Sequence, residues 1–109
     1  YGVPLAQITE RAHHLAEDAQ MRGALGQRIA GYSHGMRQKL LLIATLACRP
    51  QLLILDEPII GLDPPSARWM RTVILRYARD GHAVLLSTHL LSLAVDIADR
   101  IVVLDHGRK

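Results

Sequence analysis

A parallel α/β fold preceded by a helical segment is what this sequence predicts, on three observations. From Gln51 onward, short apolar runs alternate with amphipathic stretches in the order strand, helix, strand, helix, strand. That order is the pattern of parallel strands joined by right-handed crossovers. The apolar runs at 52–55, 83–86 and 101–104 show no polar–apolar alternation, which suits strands covered on both faces. Upstream of Gln51 the apolar residues recur at spacings of three and four instead, the period of a helix packed on one side.

Each element follows from its residues. Over 4–20, Leu5, Ile8, Ala12, Leu15, Ala16 and Ala19 form one apolar stripe and predict an amphipathic helix. Gly23 and Gly26 break the pattern, and a short helical or irregular stretch runs to Gly31. Ser33 stands where its hydroxyl can accept an orphan backbone N–H, so a helix is predicted from about 34 to 48, with Pro50 as the stop. Leu52, Leu53, Ile54 and Leu55 predict the first strand, which ends abruptly in Asp56, Glu57 and Pro58. A loop holding Gly61, Asp63, Pro64 and Pro65 leads to a helix over about 66–80. Its apolar side carries Ala67, Met70, Val73, Ile74, Tyr77 and Ala78, and Gly81 closes it. The second strand, 83–86, ends in Ser87, Thr88 and His89. A short helix over about 90–98 precedes a third strand at 101–104, closed by a turn at His106 and Gly107. The change of period divides the chain into a helical part, 1–50, and an α/β part, 51–109.

Composition narrows the function classes. With 109 residues, 50% of them hydrophobic and 21% charged, the chain fits one small domain with a core and not a disordered segment. The net charge of +3 is uneven: residues 1–50 hold six Lys or Arg against three Asp or Glu, and residues 51–109 hold seven of each. The basic residues form no run and only four aromatics accompany them, so no nucleic-acid partner is expected. One cysteine, Cys48, excludes an internal disulfide and is expected to be a small buried hydrophobe. The longest apolar stretch, 40–48, is shorter than the roughly 18 residues of a membrane span. His13 and His14 point about 100° apart on a helix and are expected to be solvated. Arg68, Arg71, Arg76 and Arg79 share a helix with Trp69 and predict a solvent face. The chain opens with Tyr1 and shows no signal-peptide pattern, so a piece cut from something longer is the expectation.

The residues suited to chemistry sit at strand ends, where ligands of open parallel sheets bind. Asp56 follows four apolar residues, so its carboxylate is held rigidly where oxygen ligands can take a hydrated Mg²⁺. Glu57, next to it and pointing elsewhere, is placed to orient or deprotonate an attacking water. His89, at the end of the neighbouring strand, can donate to the developing charge on a phosphoryl oxygen.

The full motif order resembles a known family. Tyr32-Ser33-His34-Gly35-Met36-Arg37-Gln38-Lys39, Ala44, Ala47, Pro50, the run Leu52-Leu53-Ile54-Leu55-Asp56-Glu57-Pro58, then Gly61-Leu62-Asp63-Pro64 and Ser87-Thr88-His89 stand in one order. They are similar to the signature loop, Walker B strand, D-loop and switch histidine of an ABC-type ATPase, over residues from about 32 to 107. The resemblance implies a partial P-loop NTPase core with parallel strands plus an N-terminal helical subdomain. It implies ATP and Mg²⁺ as cofactors, with Glu57 as the base, His89 as the γ-phosphate sensor and Asp56 on the Mg²⁺ side. Ser33, His34, Gly35 and Met36 would contact ATP held by a second ATPase subunit in a head-to-tail dimer, and Asp63 would lie at that interface. Signatures of the Tyr-Ser-x-Gly-Met form resemble exporter ATPases, which implies a transmembrane permease partner and a cytoplasmic place on the inner face of the cell membrane. His34 and Met36 depart from the commoner Leu-Ser-Gly-Gly-Gln.

The family pattern also includes a P-loop and a glutamine loop, and no Gly-Lys pair occurs in this chain. Tyr1-Gly2-Val3-Pro4 resembles the stretch just after the glutamine loop, so the chain reads as the C-terminal half of a nucleotide-binding domain. In this class the P-loop strand lies between the second and third strands, so raw sheet edges are implied. Residues 83–86 are then expected to pair with another chain, to pair with 101–104, or to be partly ordered, and the chain alone is expected to bind ATP weakly or not at all. Two other readings stand beside this one. One is a catalytically silent interaction module. The other is a soluble ABC ATPase of translation or DNA repair, which tandem domains or a long insertion would mark.

Overall fold

A computed structural model describes residues 2–109; Tyr1, the first residue of the stretch compared above, lies outside the described residues. The elements are α1 (Leu5–Asp18), two 3₁₀ turns (Arg22–Ala24 and Ile29–Gly31), α2 (His34–Ala47), β1 (Leu52–Asp56), α3 (Pro64–Arg79), β2 (Ala83–Ser87) and α4 (Leu91–Ile97). Gln20, left-handed at φ +58, closes α1 and lets the Met21 N–H reach Ala16 O at 2.7 Å. Lys39 of α2 donates to Ala19 O at 3.1 Å, a cation on the carbonyl end of α1 where the helix dipole favours it.

β1 and β2 pair in parallel, with Leu53 opposite Val84, Leu55 opposite Leu86 and Asp56 opposite Ser87. α3 is the crossover between them. Its stripe of Met70, Val73, Ile74 and Tyr77 buries against Leu53 of β1 and Leu42 and Leu46 of α2. A second cluster joins Ala16, Ala19, Met21, Tyr32 and Ile43, and Trp69 packs against both. The Tyr77 hydroxyl donates to Pro50 O, which fixes the chain as it enters β1. His13 and His14 are exposed, as are Arg68, Arg71, Arg76 and Arg79; Arg71 pairs with Asp96 at 3.4 Å and Arg76 with Asp18 at 3.5 Å.

Four expectations need correction. Residues 101–104 do not form a strand; they are exposed and, among the described residues, no neighbour offers them a ladder. A strand exists only through its partner's N–H and C=O groups, so apolar residues alone do not make one. The sheet is covered on one face only: Leu52, Ile54 and Leu85 are 51%, 67% and 60% exposed on the other. α3 begins at Pro64, two residues earlier than expected, because Asp63 is its N-cap and Pro is well suited to the first helical position. Cys48 is half-buried at the end of α2, where its thiol donates to Ala44 O at 3.5 Å, and does not belong to the core. The turn at His106 and Gly107 is present, closed by the antiparallel bridge between Asp105 and Arg108.

Candidate active site

The parallel register sets Asp56 beside Ser87, so the ends of the two strands form one polar cluster. The Ser87 hydroxyl donates to Asp56 Oδ1. The Glu57 N–H donates to Ser87 O at 3.1 Å and approaches the Ser87 hydroxyl at 3.3 Å. Glu57 has φ +46, a left-handed conformation that costs a non-glycine residue on the order of 1–3 kcal/mol and collects at functional sites. In that turn the two carboxylates have different partners, Asp56 the Ser87 hydroxyl and Glu57 His89. Glu57 Oε1 then accepts from the His89 N–H at 3.0 Å and lies 2.7 Å from His89 Nδ1. A carboxylate only accepts, so Nδ1 carries the proton and Nε2 offers a donor only in the imidazolium form.

Glu57 Oε2 is buried and has no hydrogen-bond partner. An orphaned carboxylate oxygen at a strand end is the acceptor that an attacking water requires. Among the described residues no three His, Cys, Asp or Glu side chains converge on a metal position. That donor set still fits Mg²⁺, which binds through one or two carboxylates and fills its shell with water and phosphate oxygens. Ser87 stands in the Ser87-Thr88-His89 motif, but the sequence assigned it no role of its own. Its role arises from a pairing between residues 31 apart, and only the register of the two strands could have signalled it.

A second group surrounds the start of α2. The Ser33 hydroxyl accepts from Met36 N at 3.2 Å, the N-cap that its sequence position predicts. His34 is exposed, and the Met36 side chain turns inward against the cluster around Tyr32 and Ile43, so only its backbone belongs to the group. Gly35 abuts the loop before α3, where Asp63 Oδ2 accepts from Ser66 N at 3.1 Å. Among the described residues no side-chain hydrogen bond joins this group to the Asp56, Glu57 and His89 cluster. The structure therefore brings the site residues together as two groups linked by the loop from 57 to 63.

Hydrogen bonds from the Ser66 side chain, and then from its N–H, hold the Asp63 carboxyl below its ordinary value of 3.8. A carboxyl with a lowered folded-state value contributes stability above the unfolded value and loses it as pH falls through the folded one. Asp63→Asn, which keeps the cap, is therefore expected to flatten the fall of stability between about pH 5 and pH 2. Urea midpoints across that range check this, and equal slopes for the two proteins would refute it.

Comparison with known proteins gives a consistent result. The family model described as "AAA domain, putative AbiEii toxin, Type IV TA system" matches residues 8–96. The daunorubicin/doxorubicin resistance ATP-binding protein DrrA of Streptomyces peucetius is 39% identical over 107 residues, 98% of this chain and 32% of its own length. The Nod factor export ATP-binding protein I of Rhizobium sp. (strain N33) is 38% identical over 111 residues, 100% of this chain and 36% of its own. A solved ATP-binding subunit of an ABC transporter superposes with a TM-score of 0.89 at 32% identity, over 99% of this chain and 45% of that one. The chain spans about a third of the length of the curated relatives it matches. No helix among the described residues is long and apolar enough to cross a membrane.

Proposed function

The chain belongs to the ABC transporter ATP-binding proteins, and on that premise we propose that it is the C-terminal catalytic portion of an ATPase subunit that couples ATP hydrolysis to export across a membrane. The observation that carries this reading is the strand-end cluster, in which Ser87 ties Asp56 to the Glu57 backbone and His89 holds one Glu57 oxygen while the other, buried, has no hydrogen-bond partner. Glu57 is the base that takes the proton of the attacking water. Asp56, with one oxygen held by Ser87, keeps the other for the shell of Mg²⁺. When bound with ATP, that ion neutralises charge on the β- and γ-phosphates. His89 is the γ-phosphate contact: with Nδ1–H serving Glu57, its Nε2–H donates to a phosphate oxygen in the imidazolium form.

In this reading residues 1–50 are part of the helical subdomain and 51–109 part of the ATPase core, and a P-loop elsewhere in the parent subunit grips the nucleotide. The Ser33–Met36 loop serves ATP held by a second, head-to-tail subunit: backbone N–H groups at a helix start favour a phosphate. Asp63 lies at the same interface. The relatives named for drug resistance and for Nod factor export support an exporter, with a transmembrane permease as partner and a cytoplasmic position on the inner face of the membrane.

Ser33→Arg tests the assignment to the opposite site. In the complete subunit it is expected to abolish ATP-dependent dimer formation on size exclusion, while ATP affinity of the monomer stays within about two-fold. A matching loss of monomer affinity would place Ser33 at its own subunit's nucleotide and sink the assignment.

A further inference from the structure

We propose that Asp63 is a positioning residue that acts within its own chain, setting the place of the Ser33–Met36 loop through contact with Gly35. This rests on the ATPase reading above and adds a cis role for a residue otherwise assigned to the subunit interface. A Cβ placed on Gly35 would lie 3.3 Å from Asp63 Oδ1, 3.5 Å from Ser66 Oγ and 3.7 Å from Leu62 Cδ2. Gly35 sits in the first turn of α2 without a left-handed backbone. What favours glycine there is the close approach of the other loop, not a special φ.

Asp63 is exposed, but one of its carboxylate oxygens is committed. Its Oδ2 accepts the Ser66 N–H at 3.1 Å as the cap of α3, and Ser66 is 5% exposed. Swinging the carboxylate away from Gly35 strips α3 of its cap. The neighbouring residue, His34, also lies close by: a Cβ placed on Gly61 would stand at ordinary van der Waals distance, 3.6 Å, from its ring, and Gly61 has φ +72. His34 and Gly35, consecutive residues in the first turn of α2, thus lie near the two ends of the short segment from 61 to 63. The two close approaches set the start of α2 against that segment.

The test is Gly35→Ala made in the complete subunit on three backgrounds: unmodified, Asp63→Ser and Asp63→Asn. On the unmodified background it is expected to raise the ATP concentration for half-maximal hydrolysis about ten-fold, the cost of overpacking by one methyl, with kcat changed by less than about two-fold. Serine still caps α3 but withdraws the carboxylate, so on Asp63→Ser the cost of Gly35→Ala is expected to shrink below about two-fold. Asparagine keeps the bulk, so on Asp63→Asn the ten-fold cost persists. The same cost on all three backgrounds, or a loss carried by kcat, overturns the proposal. If the unmodified subunit does not hydrolyse ATP, the ATPase reading fails. The contact is then judged by melting this chain: a lowered Tm for Gly35→Ala on the unmodified and Asn backgrounds but not on Ser supports it, and equal losses overturn it.

Discussion

Glu57→Gln is expected to lower ATP hydrolysis by the complete subunit by about a hundred-fold or more while nucleotide affinity stays within about two-fold. The amide keeps an oxygen at the position that accepts from the His89 N–H and Nδ1–H, so the geometry survives. It loses the second carboxylate oxygen, buried and unpartnered in this chain, which is the only part of the residue able to take a proton from water. General-base catalysis contributes on the order of 10²–10⁴ in rate, so the loss falls in kcat. Turnover within a few-fold of the unmodified subunit, measured by phosphate release at saturating ATP, would remove Glu57 from the role of base. A loss in KM alone would also remove it.

Much of this site was legible because its signals are local. Four apolar residues followed by Asp56, Glu57 and Pro58 mark a strand end, since the apolar run stops there and a proline cannot donate to a ladder; β1 ends at Asp56. Ser33 reads as a cap because hydroxyl and N–H are three residues apart. Met70, Val73, Ile74 and Tyr77 recur at the helical period, and the structure buries them together. What escaped was non-local or competed with a stronger local signal. Ser87 acquires its partners from β1, a pairing that no window along the chain contains. Pro64 and Pro65 read as loop because proline usually breaks helices, yet the missing N–H is free of cost at the first turn that Asp63 caps.

The sheet was the least legible part, for a related reason. Continuous apolar runs signal strands covered on both faces, but they do not say what covers them. In this chain α2 and α3 supply one cover, and Leu52, Ile54 and Leu85 remain bare on the other face. The run at 101–104 has the composition of a strand and, among the described residues, no ladder to join.

From that bare face a large effect follows for the 109-residue chain taken alone. At about 100 µM it is expected to sediment as dimers and larger species, and Ile54→Lys combined with Leu85→Lys is expected to return it to monomer. Burying the exposed half of three such side chains in each of two copies is worth roughly 5–9 kcal/mol. That lies within the range of about 4–15 kcal/mol that association costs in lost freedom, so the face alone is close to balance. The outer edge of β2 tips it. Among the described residues β1 is the one strand paired with β2, so the other edge offers unpaired N–H and C=O groups as a template for a second copy. Lysine at 54 and 85 removes apolar area from the bare face and sets like charges side by side, because the register places those two residues opposite each other. Leu53 and the α3 stripe lie on the covered face, so circular dichroism should show the fold retained. Sedimentation velocity decides the matter: a monomeric unmodified chain at that concentration, or equal association of the lysine variant, would show that the bare face does not drive assembly.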